Sequence, residues 1–317
     1  MLPVLAEVVR SGVVESRHHG SLVALGPAGD VALAIGDVTS AIFPRSANKP
    51  LQTVGLLEAG LAETPGYRAE FLAIAAASHS GEPRHVAVVR DLLVSAGLTE
   101  ADLDNVPGLP LDEAAAWALL RAGGAPAPIY QNCSGKHAAM LATAVAAGRP
   151  TSGYRDPAHP VQQAVRAAIE RLAGVAAGPP AMDGCGAPLY RLSLTALARA
   201  FAGLATAAVE SAPGRVAAAM RAHPELVGGS GRVVTELIRE LPGLVAKDGA
   251  EGVFAAALPG GASVAVKIED GANRAAAPAL VAGLRAIGAS GAVLDRLATA
   301  PVLGHGDVVG EIRCVLS

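Results

Sequence analysis

Hydrophobic positions along the chain fall into three textures. Residues 4–39 are Val-rich and short-period. "VLAEVVRSG" and "VVESRHHGSLVAL" read as strands, "GPAGD" as a turn, and "VALAIGD" as a returning strand. The middle of the chain switches to helical spacing. "PLQTVGLLEAGL" places apolar residues on one helical face. "PVQQAVRAAIERLAG" opens with Pro160 in its first turn and closes on Gly174, the expected helix punctuation. "SLTALARAFAGLA", "GRVAAAMRA" and "RVVTELIREL" continue the pattern, and Ala-rich runs such as "LATAVAAG" are compatible with helix. Near residue 244 the texture changes back. "LVAKDG", "GVFAAALPGG" and "ASVAVKIEDG" read as three strands. Helices follow in "NRAAAPALVAGLRAIG" and "GAVLDRLA", and "DVVGEIRCVL" is a last strand. No fixed-period repeat interrupts this order.

Strands at both ends with helices between them predict an α/β fold: one antiparallel sheet drawn from both chain ends, covered by helices, with a helical lobe inserted. The expected organisation is a single domain over residues 1–317. Half of the residues are hydrophobic, ample for one core at this length.

Composition then removes several classes of function. No run approaches 18 apolar residues, so a membrane-spanning helix is not expected. "MLPVLAEVVR" has no basic start and Glu7 interrupts its apolar run, which is not the pattern of a secretory signal. Three cysteines fit a reducing compartment better than a disulfide framework, and the expected location is the cytoplasm. A net charge of −3, scattered arginines and 3% aromatics argue against nucleic acid.

One bias is informative. Of 25 basic residues only four are lysines: Lys49, Lys136, Lys247 and Lys267. Arg stays charged, whereas Lys is a compact amine that burial can strip of its proton, so each lysine becomes a candidate for chemistry. In "FPRSANKPLQ", Ser46 and Lys49 stand three residues apart, the spacing of one helical face. Pro50 would clash with the Ser46 carbonyl in a regular turn, so this first turn should be tight or irregular. Lysine can take the serine proton only as a neutral amine, which needs burial or another cation nearby. "FLAIAAASHSGE" is an apolar run, helix or strand, that ends in Ser78, His79 and Ser80; these can line a pocket or cap the next helix beside Glu82. "AKDGAEGV" places Lys247 one residue before Gly249 on an apparent strand, where a backbone can be approached closely. Lys267, in "VKIEDG", has Glu269 and Asp270 as expected ion-pair partners.

Each motif is short enough to arise by chance. Their order, Ser-x-x-Lys, then a serine at the end of a buried segment, then Lys-x-Gly, is that of serine β-lactamases and penicillin-binding proteins, and also of serine-dependent glutaminases. Ser-His-Ser in place of Ser-Asp-Asn, and its short distance from Ser46, set this chain apart from a standard lactamase. "QNCSGKHAAML" and "AMDGCGAPLY" add Asn132, Cys133, Lys136, His137, Asp183 and Cys185. Two of the three cysteines thus lie in polar, Gly-flanked turns suited to metal binding or reactivity. Cys314 reads as a core strand residue.

Taken together, "RSANKPLQ", "ASHSGEPRH", "NCSGKHAAML", "MDGCGAP" and "VKIEDG" resemble the asparaginase II family, the rhizobial-type asparaginases, across nearly the whole chain. The resemblance implies a serine β-lactamase/glutaminase-like fold, hydrolysis of L-asparagine to L-aspartate and ammonia, and a homodimer. By the same resemblance Ser46 is the nucleophile with Lys49 as partner, and Ser78 and Lys247 form a second Ser-Lys pair. Cys133, Lys136 and Cys185 are the ligands of one zinc per chain, which His137 can supplement. A family cysteine just before Lys247 has no counterpart here. Arg45 suits the substrate carboxylate and Asp183 its ammonium; His79, Asn132 and His137 are further candidate substrate contacts. Backbone N–H groups of Ser46 and Ala250 are the expected oxyanion site by fold analogy. Two rivals stand beside this reading. One is a glutaminase or other acyl-serine amide hydrolase, separated by one methylene. The other is a non-catalytic zinc-binding protein on the same scaffold, which would need neither Ser46 nor Lys49.

Overall fold

Val-rich segments from both ends of the chain meet in one eight-stranded antiparallel sheet, in a computed structural model that describes residues 2–316. Seven strands run across it in the order Thr299–Gly304, Asp307–Cys314, Val4–Arg10, Val13–Leu25, Ser263–Ile268, Val253–Ala257 and Val245–Asp248. The eighth, Val31–Ile35, also pairs with Val13–Leu25. The long strand Val13–Leu25 explains the joint. Its first half alternates exposed and partly buried residues, as a hairpin facing water on one side should. Its second half is buried throughout, because helices Leu194–Thr206 and Asn273–Ala286 both pack on it and on strands Ser263–Ile268 and Val253–Ala257. The sheet is therefore the middle layer of a mixed α/β fold, as the strand-helix-strand texture predicts.

Between the early and late strands lies the helical lobe. Helix Lys49–Glu58 packs against Pro160–Ala173. Gly55 permits the close approach: a Cβ there would lie 2.7 Å from the Val165 Cα. Pro160 and Gly174 bound their helix as expected, with Gly174 in the left-handed conformation. The ambiguous run "FLAIAAA" resolves as helix Ala69–Ala75, and Glu82, not a serine, caps the next helix, Pro83–Ser95. Two of the elements that the sequence pattern does not show have clear reasons. Strand Thr299–Gly304 contains Pro301, which depresses strand character but is tolerated because this strand is the sheet edge. Helix Glu113–Arg121 has no buried residue, so its sequence carries no burial pattern to read. Among the described residues, no helix is long and apolar enough to cross a membrane.

Candidate active site

Pro50 shapes the start of the site. A proline in the first helical turn cannot accommodate the carbonyl four residues back, so the α-helix begins only at Lys49. The preceding Arg45–Asn48 winds as a 3₁₀ turn in which the Lys49 N–H donates to the Ser46 carbonyl. Arg45 itself sits at φ 51°, a left-handed conformation that costs a non-glycine residue about 1–3 kcal/mol and is typically retained only where the surroundings enforce it. Ser46 is left part-exposed in this turn, whereas Lys49, at the start of the helix, is wholly buried.

The Lys49 amine reaches the two other segments singled out in the sequence. It donates to the Ala77 carbonyl (2.5 Å), Ser78 Oγ (3.2 Å) and the Asn132 carbonyl (3.3 Å). An ammonium fills all three contacts. A free amine has two N–H bonds, which the two carbonyls absorb, and its lone pair is then left for a hydroxyl. The extended chain after helix Ala69–Ala75 is pinned for this purpose, with the Ser78 N–H donating to the Val227 carbonyl.

Lys247 comes from the sheet. It too is wholly buried, and its Nζ donates to the carbonyl (2.7 Å) and carboxylate (2.6 Å) of Asp248. Burial lowers its pKa to about 8, against the pull of Asp248 and with help from the Lys49 charge. Burial opposes ionisation of Asp248, but Lys247 and Arg232, 2.7 Å away, hold its pKa well below the usual carboxylate value. Gly249 fulfils the close approach expected of Lys-x-Gly: a Cβ there would lie 2.7 Å from the Pro44 carbonyl and 3.4 Å from the Ser46 nitrogen. The serine turn thus rests directly on the end of the Lys247 strand.

Arg45 and Asp183 meet across this cleft, Nε to Oδ1 at 2.8 Å. Burial raises the Asp183 pKa, but Lys136, the Gly184 N–H and Arg45 outweigh it and keep the group ionised. Beneath Asp183, the Lys136 amine lies 3.3 Å from Cys185 Sγ. Both cysteines are free, and the neighbouring Cys185 thiol, acting as a hydrogen-bond donor, lowers the Cys133 pKa well below that of a free thiol against the effect of burial; Lys49 and Lys136 add to the lowering. The same hydrogen bond, with burial, raises Cys185. Lys136 is raised above an ordinary lysine because the two sulfurs and Asp183 overcome its burial. Two thiols and one amine are therefore gathered in one buried spot. Among the described residues no trio of His, Cys, Asp or Glu is placed to hold a metal.

The remaining candidates divide. His137 is buried and held neutral by burial and the Lys136 charge. The Asp104 N–H donates to the Tyr154 hydroxyl (3.1 Å), which is left to donate to His137 Nδ1 (2.7 Å), so the proton is assigned to Nε2, which has no partner. His79 has both nitrogens occupied, by the Gly81 N–H and Ser134 Oγ, and stacks on His85. It fastens the Ser78–Glu82 segment and has no hydrogen-bonding atom to spare. Asn132 meets Lys49 through its carbonyl, while its side-chain oxygen accepts from Gln131 and lies 3.3 Å from Cys133 Sγ. Sequence reasoning gave no role to Asp248, Tyr154 or Arg232. Asp248 follows Lys247 on a strand, where neighbours normally face opposite sides; only the strand's end at Asp248 lets both side chains meet.

Comparison with known proteins reaches the level of family. A search of curated proteins finds no match. Among solved structures, Mglu in its native form is 14% identical with a TM-score of 0.45, over 84% of this chain and 63% of its own. This chain thus spans less than two thirds of the length of that protein. A β-lactamase from Mycobacterium bovis is 16% identical with a TM-score of 0.46, over 81% of this chain and 89% of its own. The sequence model of L-asparaginase II matches residues 6–314, which takes in the serine turn, the thiol pair and the Lys247 strand alike. The chain belongs to the L-asparaginase II family.

Proposed function

We propose that the protein hydrolyses L-asparagine to L-aspartate and ammonia through an aspartyl ester on Ser46. Membership of an amide-hydrolase family supports the reaction class. The observation that carries the substrate is the Arg45–Asp183 pair, at 2.8 Å beside Ser46. A guanidinium and a carboxylate facing each other are complementary to an α-amino acid, whose carboxylate and ammonium can exchange with them.

In this reading Lys49 takes the Ser46 proton as Oγ attacks the side-chain amide carbon. The carbonyl oxygen gains charge opposite the Ser46 and Ala250 N–H groups. The proton passes by way of Ser78, bonded to Lys49, to the departing ammonia. Water then cleaves the ester by the same groups in reverse. His137 Nε2, an unspent buried donor, is offered to the substrate. Lys247 supplies fixed positive charge. Because its pKa is about 8, that charge is present below pH 8 and lost above it. The expected kcat/KM therefore falls as pH rises through about 8, and Lys247→Arg, though slower, loses this alkaline limb. A profile flat to pH 10 in the wild type would remove Lys247 from the reaction.

Cys133, Cys185 and Lys136 fit zinc: two soft sulfur donors and one amine share a buried spot, and the Cys133 sulfur, its pKa held down, is the readier to ionise. Bound there, zinc would supply a fixed charge that stabilises the floor of the cleft under Asp183. Taking the metal requires Lys136 and Cys185 to release protons, so affinity should rise with pH. Protein purified without chelators is expected to hold about one zinc per chain, lost in Cys133→Ser and Cys185→Ser. Chelation should raise KM more than it lowers kcat. Metal-free protein from such a preparation would refute the assignment.

Ammonia release from asparagine and glutamine, with nitrocefin ring opening as a third arm, tests the function. Asparagine should be the preferred substrate. Faster release from glutamine would change the assignment to glutaminase, and no release from either would end it. The homodimer implied by the family is checked by light scattering on the same material.

A further inference from the structure

We infer that Lys267 is a positioning residue that holds the turn Gly249–Gly252 in the shape the oxyanion site needs. The inference rests on the amidohydrolase reading above. This turn joins strands Val245–Asp248 and Val253–Ala257 and lies against the backbone of Pro44 and Ser46. Both of its ends are tied. The Gly249 N–H donates to the Val253 carbonyl (2.7 Å), the Gly252 N–H to Asn273 Oδ1 (2.9 Å), and the Ile268 N–H to the Gly252 carbonyl (2.9 Å). The Ala250 N–H has no hydrogen-bond partner among the described residues. It is a free donor between two fastened glycines, beside the proposed nucleophile.

Lys267 acts at the strained point. Glu251 has φ 62°, left-handed without being glycine. Its carbonyl accepts from Lys267 Nζ at 2.5 Å, and the same ammonium donates to the Ile268 carbonyl at 2.8 Å. The ion pairs expected with Glu269 and Asp270 are replaced by these two carbonyls. A charge-assisted bond to the carbonyl of the strained residue fixes the Glu251–Gly252 peptide plane, and with it the end of the short turn that presents the Ala250 N–H two peptide units earlier. Arg45 Nη1, 3.8 Å from Glu251 Oε1, secures the same residue from the other side. Three of the four lysines enter the site directly; on this account the fourth shapes it from outside.

Lys267→Met removes the bond without adding bulk. It is expected to lower kcat for asparagine roughly 10- to 100-fold while KM stays within about twofold, since the lost contact is felt by the developing oxyanion and not by the bound amino acid. Hydrogen exchange should rise about fivefold or more in the peptide carrying Gly249 and Gly252, and not elsewhere in the sheet. Lys267→Arg keeps two donors on a charged head, and the bordering cavity of about 470 Å³ admits its length. It should retain at least half of kcat and native exchange. Should Lys267→Met fail to fold, Lys267→Gln takes its place. Retention of most of kcat by the methionine variant, a loss confined to KM, or exchange rising equally across the sheet would each overturn the inference. If the wild type hydrolyses neither amide, the functional reading is what fails, and the exchange measurement alone decides whether Lys267 fixes the turn.

Discussion

Ser46→Ala is expected to lower kcat by about 10⁵-fold or more, with the fold and the melting temperature preserved. Ser46 is part-exposed, and its Oγ makes no hydrogen bond among the described residues, so truncation leaves no buried polar group unpaired. What is lost is the bond-forming atom. At about 1.36 kcal/mol per tenfold, such a loss corresponds to ~7 kcal/mol of transition-state stabilisation. Substrate affinity should change little, because Arg45 and Asp183 remain paired across the cleft. The checks are ammonia release under saturating asparagine, calorimetric binding of asparagine to the mutant, and thermal denaturation. A mutant that turns over at even one hundredth of the wild-type rate would mean that another group attacks the amide, with Ser78 the next candidate.

Several parts of this site are legible in the sequence, for identifiable reasons. The scarcity of lysine pointed to residues doing something Arg cannot, and three of the four are at most 1% exposed, where charged groups almost never go unless paired. Pro50 announced an irregular turn after Ser46 because its clash is local and independent of the rest of the fold. Gly249 was readable as a close approach because only backbone space was at issue. What stayed hidden depends on contacts between distant segments. Nothing in "SHSGE" says that His79 spends both nitrogens on Gly81 and Ser134. Nor does a sequence join Tyr154 to His137, or show that Lys267 turns from Glu269 and Asp270 to two carbonyls. The link from Lys49 to Ser78 belongs to the same class. Residues 29 apart meet because a helix ends at Ala75 and the chain beyond it is tied to Val227.

Lys49→Arg is the sharper test of that link. The mutant keeps a positive charge and keeps donors for the Ala77 and Asn132 carbonyls. It cannot offer a lone pair, because a guanidinium does not give up its proton in a protein. A base contributes typically 10²–10⁴-fold, and the expected fall in kcat is at the upper end, since the same amine would also return the proton to ammonia. The larger head must enter a wholly buried slot, so some loss of stability, about 1–3 kcal/mol, is expected as well. Circular dichroism and melting therefore accompany the kinetics, and Lys49→Met, similar in length and uncharged, serves as the control. If Lys49 is only a buried counter-charge, the arginine mutant should outperform the methionine mutant by a wide margin. If it is the base, both should be equally inactive although only one has lost the charge. A folded Lys49→Arg enzyme with wild-type turnover would show that the Ser46 proton leaves by another route. Lys247 would then be the amine to test, since a pKa of about 8 leaves part of it neutral near physiological pH.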